Sequence, residues 1–100
     1  MLEIWPTKGR RSDIQIMAEI LNVSRLTEVG RIDISSGVNI SYSQTQRYLK
    51  RLADLRLMDA KVKEDNLICY KTSEKGNRLL IQVENIQELL QRQNTLKVSI

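Results

Sequence analysis

Histidine and phenylalanine are absent from this 100-residue chain, and cysteine and proline occur once each. Without histidine the chain lacks the commonest general base and the commonest transition-metal ligand, which weakens most enzymatic readings at the outset. The single Cys69 excludes an intramolecular disulfide and suits a reducing cytoplasm. With no second cysteine to resolve an oxidised sulfur, it reads as a small filler on a strand. Without phenylalanine the aromatics are Trp5, Tyr42, Tyr48 and Tyr70, so the core must be aliphatic. No apolar run approaches the roughly 18–20 residues that cross a bilayer, and no apolar signal core follows the first charges. An intracellular, soluble protein with no membrane partner is expected. There is also no phosphate-cradling glycine loop, no paired-cysteine motif and no nucleophile with a histidine to activate it. No catalytic residue, metal ligand or cofactor is therefore expected. A domain of this size has a marginal core, which oligomerisation would support.

What the chain does have is a basic helix. Residues 39–56, NISYSQTQRYLKRLADLR, open with Ser41 as N-cap and Gln44 three residues on, the SxxQ capping box. At about 100° per residue, Thr45, Tyr48, Leu49, Leu52 and Leu55 share one side. Ser43, Gln46, Arg47 and Lys50 share the other, flanked by Gln44 and Arg51. A solvated helix usually mixes Glu with Lys at i,i+4 spacing. Residues 41–56 instead set Arg47, Lys50, Arg51 and Arg56 against Asp54 alone, a local +3 within a chain of net charge +4. An apolar back with a cationic front is what the major groove of DNA accepts, and a local basic excess is the footprint expected for a polyanion.

The neighbouring segments set that helix in a frame. Residues 1–11 carry Pro6, Gly9 and the basic Lys8, Arg10 and Arg11, and read as an arm. Ser12 caps a first helix over roughly 12–24, with Ile14, Met17, Ala18 and Leu21 at helical spacing and Gln15, Glu19 and Asn22 as its polar stripe. Residues 25–31 form a connector with room for a short extended piece near Val29 to Ile32. Residues 32–38, IDISSGV, make a weak helix burying Ile34 and Val38, which only tertiary packing can hold. Asn39 and Ile40 then turn into the basic helix, the order of a helix-turn-helix. Beyond Arg56 the period changes to two. Met58, Ala60 and Val62 alternate with charges, Glu64, Asp65 and Asn66 make a turn, and Ile68, Tyr70 and Thr72 alternate again, giving a hairpin. Ser73 caps a last helix whose Leu79, Val83, Ile86 and Leu90 follow a coiled-coil seam. The fold class is mainly α with a small β-hairpin: an arm (1–11), a winged helix-turn-helix (12–75), a dimerisation helix (76–93) and a tail (94–100).

NISY leading to Tyr42, QxxxYLxxL from Gln44 to Leu52 and YKTSEKGNRLL from Tyr70 to Leu80 occur in this order. On these pieces the chain resembles the archaeal winged-helix DNA-binding proteins of the Sulfolobus ten-kilodalton chromatin-protein type, over roughly residues 12–92. The resemblance implies a winged helix-turn-helix whose last helix pairs with its partner in an antiparallel coiled coil. It also implies double-stranded DNA as ligand and no cofactor. Thr72 stands where that family tends to have leucine, and is expected to loosen the junction between hairpin and last helix. Ser35, Ser36 and Gly37 are smaller than is usual for its second helix.

These readings assign roles. Ser43, Gln44, Gln46, Arg47 and Lys50 are placed to meet base edges and phosphates, Gln pairing with adenine and Arg with guanine, and Arg51 flanks them. Two roles are open to Tyr42: donating its hydroxyl to a phosphate, or packing on the hairpin. Lys61 and Lys63 offer wing contacts, against which stand Glu64 and Asp65 at the same tip. Lys8, Arg10 and Arg11 can track a phosphate backbone, or fray. Leu79, Val83, Ile86 and Leu90 seal a homodimer or cover the domain's own core. The function expected is a dimeric double-stranded-DNA-binding regulator of transcription, in the cytoplasm on the chromosome. An architectural chromatin protein and a protein-interaction module are the alternatives.

Overall fold

Serines start three of the four helices. A computed structural model describes residues 11–99, with side chains as far as Leu90. The arm, apart from Arg11, lies outside the described residues, and with it Trp5, Lys8 and Arg10. The elements in order are α1 (Asp13–Val23), β1 (Val29–Gly30), α2 (Arg31–Val38), α3 (Tyr42–Asp54), β2 (Met58–Val62), β3 (Ile68–Thr72) and α4 (Glu74–Ser99). The Ser12 Oγ accepts from the Gln15 amide at 3.2 Å and the Ser73 Oγ from the Gly76 amide at 3.1 Å. At α3 the capping box closes in both directions: the Gln44 amide donates to Ser41 Oγ, and the Ser41 amide donates to Gln44 Oε1. Each bond occupies an amide that would otherwise lack an acceptor.

The sheet is three-stranded and antiparallel in the order β1-β3-β2. Val29 pairs with Tyr70 on one side of β3, while Met58 pairs with Thr72 and Val62 with Ile68 on the other. The extended piece of the connector is thus a third strand, cut short at Gly30 because Arg31 already begins α2. The hairpin closes through Asn66, whose amide donates to Lys63 O at 3.1 Å while its backbone takes a left-handed φ of 60°. Asparagine tolerates that region better than most residues.

The main core gathers Ile16, Ile20 and Leu21 of α1, Ile34 and Val38 of α2, Tyr48, Leu49 and Leu52 of α3, and Leu57, Met58 and Tyr70 from the sheet. Two sequence expectations shift here. The inward face of α1 includes Gln15, Ile16, Ala18, Ile20 and Leu21, whereas Ile14 is exposed. The helix is wedged between the core and α4, so its Ala18 packs with Leu80 and Val83 in a second cluster and its buried arc is wider than one stripe. Leu55 is exposed, because Arg56 reverses the chain at φ 61° and Leu57 fills the core in its place.

Two polar anchors hold the parts that looked weak. Helix α2 buries Ile34 and Val38, and the Arg11 guanidinium donates to Val38 O at 2.7 Å and to Asn39 O at 3.0 Å while also meeting the Glu19 carboxylate. A cation on the last carbonyls of a helix satisfies both their lone pairs and the helix dipole. Arg11 is accordingly a structural clamp rather than part of a free arm. Thr72, expected to loosen its junction, is buried. Its backbone amide donates to Ser24 O at 3.0 Å, and its Oγ1 donates to Leu21 O at 2.7 Å, a bond to α1 that a leucine side chain could not make. The helix α4 continues through 94–99, where a tail was expected, as no Gly or Pro interrupts that stretch.

Candidate nucleic-acid interface

Thr45, Tyr48, Leu49 and Leu52 anchor α3 in the core, which turns its opposite side to solvent. Ser43, Gln46, Arg47, Lys50 and Arg51 are all exposed, with Gln44 half-buried beside the cap. Thr45 strengthens the anchoring by donating from Oγ1 to Ser41 O at 2.8 Å. The Tyr48 hydroxyl reaches through the core and donates to Asp13 Oδ1 at 2.6 Å. That hydrogen bond, followed by burial, raises the Tyr48 pKa above its ordinary value. Its protonated form is the one the fold favours, so this contribution is complete below pH 10 and fades as pH rises beyond it.

The cations of this face differ in how far they are already engaged. Lys50 Nζ lies 3.0 Å from Asp54 Oδ2, and Arg51 lies 3.9 Å from Asp13 Oδ2. Both pairs are largely exposed and so easily exchanged for another anion. Arg47 stacks 5.5 Å from the centre of the Tyr48 ring, and no carboxylate pairs with it among the described residues. On the wing, Lys63 forms an ion pair with Glu28, and Lys61 lies 3.9 Å from the same carboxylate. Lys63 holds the Glu28 carboxyl below its usual range, and Glu28 in turn raises Lys63. The wing lysines are thus partly neutralised by a residue of the connector.

Tyr42 meets Arg31 rather than packing into the hairpin, and its own O–H stays available as a donor. It is half-exposed at the first position of α3, and its hydroxyl accepts from Arg31 Nη1 at 3.4 Å, while Tyr70 OH accepts from Arg31 Nε at 3.0 Å. Arg31 therefore joins α3 to the wing sheet. These two acceptors, Tyr42 first, hold its guanidinium even more firmly protonated than usual. Sequence reasoning missed Arg31, Glu28 and Asp13. Their partners lie 39, 35 and 35 positions away in the cases of Tyr70, Lys63 and Tyr48, and no local spacing reports pairs so distant.

Of the seam residues, Val83 is buried and Leu79 packs against the main core, whereas Ile86 and Leu90 face solvent together with Leu89. Gln87 is the last buried residue among those described, followed by the exposed Glu88, Leu89 and Leu90.

A winged helix-turn-helix family profile matches residues 10–91. The chain belongs to the winged helix-turn-helix family. Among solved structures, this winged helix is similar to Sso10a-2, a DNA-binding protein from Sulfolobus solfataricus, with 25% identity and a TM-score of 0.73 over 87% of this chain and 90% of that one. It shares the fold of S. aureus MepR, solved as a complex with DNA, at 12% identity and a TM-score of 0.70, covering 91% and 75% of the two chains. It shares it too with Mb0332 from Mycobacterium bovis, a homodimeric winged helix-turn-helix DNA-binding domain, at 19% identity and a TM-score of 0.63 over 73% and 68%. No curated protein matches the chain. Among the described residues no helix is long and apolar enough to cross a membrane, and no group of acidic, histidine or cysteine side chains is placed to hold a metal ion.

Proposed function

We propose that this winged helix binds double-stranded DNA as a homodimer and regulates transcription on the chromosome, with α3 in the major groove. The observation that carries the reading is the front of α3. Helix α3 is pinned by a closed capping box and four buried side chains, and it presents Ser43, Gln46, Arg47 and Lys50 with Gln44 and Arg51 on the flanks. Glutamine and arginine are the side chains that pair bidentately with adenine and guanine, so this front suits base reading as well as phosphate contact. Sso10a-2, similar over most of both chains, is itself a DNA-binding protein, which favours the chromatin-protein kinship implied by the sequence.

Dimerisation is proposed through the part of α4 beyond the domain, where Ile86, Leu89 and Leu90 leave an apolar face open to water. Leu79 and Val83 serve that seam from behind, by fixing the helix to its own domain. Helix α4 has 26 residues and so is about 39 Å long. That length is comparable with the separation of about 34 Å between successive half-sites on one face of DNA.

The test is fluorescence anisotropy of labelled duplexes, one generic and one from the protein's own promoter, at several salt concentrations, with mass from sedimentation. A dimer neutralising about six phosphates should give log K against log salt a slope near −5, with the promoter preferred. Equal binding to both duplexes would instead make it an architectural chromatin protein. No binding at low salt would overturn the DNA reading and leave protein partners.

The wing supplies a separate expectation. Glu28→Gln should release Lys61 and Lys63, strengthening binding several-fold and steepening the salt slope by about 1 to 2 per subunit. The same release should follow acidification of the unsubstituted protein. Glu28 is held below 4.5, so the pair persists at neutral pH and loosens only as pH falls through that depressed value. Unchanged affinity and slope in Glu28→Gln would remove the wing lysines from the interface.

A further inference from the structure

Arg31, like Arg47 and unlike Lys50, Arg51, Lys61 and Lys63, meets no carboxylate among the described residues; its partners are hydroxyls. Its Nε and Nη1 are taken by the hydroxyls of Tyr70 and Tyr42, and its charge centre lies 6.0 Å from the middle of the Tyr70 ring. Asp33, two residues on, forms no ion pair with it, nor does any other described carboxylate. A guanidinium has five N–H donors in a fixed plane, so two hydroxyl acceptors orient it and leave the Nη2 edge available. The charge stays whole, because hydroxyls orient without neutralising. Tyr70 is buried and therefore a firm support, whereas Tyr42 is half-exposed at the start of α3.

Position decides what that edge meets. Arg31 lines a hollow of about 350 Å³ together with Gln46, Lys50 and Ala53 on α3 and Ala60 and Tyr70 on the sheet. It stands in the crease between the basic helix and the wing. When a helix lies in a major groove and a wing reaches over the neighbouring strand, the sugar-phosphate backbone between the two grooves crosses that crease. We propose that Arg31 is a pre-organised contact for a DNA backbone phosphate, oriented by the Tyr42 and Tyr70 hydroxyls and seated between α3 and the wing. The proposal rests on the DNA reading of α3 and adds to it a cation outside that helix. It also assigns Tyr42 a role as a positioning residue, acting on DNA through Arg31.

The same anisotropy titration tests it with three variants. Arg31→Gln keeps a donor for Tyr70 and removes the charge. It should weaken binding about ten-fold or more, flatten the salt slope by about 1 per subunit, and do so equally for promoter and generic duplex, as a phosphate contact must. Arg31→Lys keeps the charge but not the planar fork, so the slope should hold while affinity falls a few-fold. Tyr42→Phe deletes one orienting acceptor and should behave like Arg31→Lys, with an unchanged slope and a few-fold loss. Wild-type affinity and slope in Arg31→Gln, alongside loss in an α3 variant such as Arg47→Ala, would overturn the phosphate contact and spare the α3 reading. Should Arg31→Gln fail to fold, as judged by thermal melting, wild-type affinity in both Arg31→Lys and Tyr42→Phe would overturn the oriented contact. A wild-type protein that binds neither duplex removes both readings together.

Discussion

Replacing Arg47 and Lys50 together by alanine is expected to weaken duplex binding by at least two orders of magnitude while leaving the melting temperature within a few degrees of wild type. The two halves of this expectation have separate grounds. Arg47 pairs with no described carboxylate and rests on the Tyr48 ring, an exposed cation–π contact worth about 0.5–1 kcal/mol. Lys50 has one exposed partner, Asp54, four residues along the helix, a pair worth about 0.3–0.5 kcal/mol. Stability thus depends little on either. On the proposed reading binding depends on both, since each charged contact to DNA would be worth about 1–3 kcal/mol and would recur in each subunit of the proposed dimer.

The single variants separate reading from gripping. If Arg47 pairs with a base edge, Arg47→Ala should bring promoter and generic affinities together. A phosphate contact at Lys50 requires Lys50→Ala to lower both alike and flatten the salt slope. Anisotropy decides between these patterns. A double variant that binds like wild type would mean that the cationic front of α3 is a solvated surface, and would return the fold to the class of protein-interaction modules.

The order of the elements and the exposed front of α3 were legible in the sequence because both rest on short-range periodicity. The capping box at Ser41 and Gln44, the alternation around the Glu64 to Asn66 turn and the 3.6-residue spacing of Thr45, Tyr48 and Leu52 each need no more than one helical turn or one hairpin to be seen. What escaped was whatever joins distant segments. Arg11 reads as one of three basic arm residues, yet it is spent on the end of α2 27 and 28 positions away. Thr72 reads as a poor substitute for leucine, because nothing nearby in sequence reveals that Leu21 O lies 51 positions off waiting for a donor. Gln15 sits on a polar stripe by spacing and inside the protein by packing, because α4 covers the side of α1 that a three-helix domain would leave wet. In the candidate interface the same limit hid Arg31, since its orientation depends on two hydroxyls that the fold brings in from α3 and β3.

Gly76→Ala should be the most damaging glycine-to-alanine substitution among the described residues, against the sign that helix propensity gives. Alanine in place of glycine inside a helix ordinarily stabilises by about 0.5–1 kcal/mol. At Gly76 the added methyl would lie 2.1 Å from Leu57 O and 2.7 Å from Thr72 Cγ2. Neither neighbour can yield cheaply. Leu57 O accepts from the Ser73 amide at 3.1 Å, and Thr72 is held by Leu21 O and Ser24 O. The first turn of α4 must therefore lift away from the sheet, at about 3 kcal/mol or more, the upper end for an overpacked core. In a domain of this size that corresponds to a fall in melting temperature of about 12 °C or more. Gly37→Ala in α2 is the matched control, because its methyl would meet only Val23 Cγ1 at an ordinary 3.8 Å. That variant should melt at or above the wild-type temperature. If Gly76→Ala does the same, α4 is not pressed against the wing as described. Its failure would reach beyond stability, because the angle at which α4 leaves Thr72 sets the direction of the face carrying Ile86 and Leu90, and hence how a proposed second subunit would aim its own α3 at the next turn of DNA.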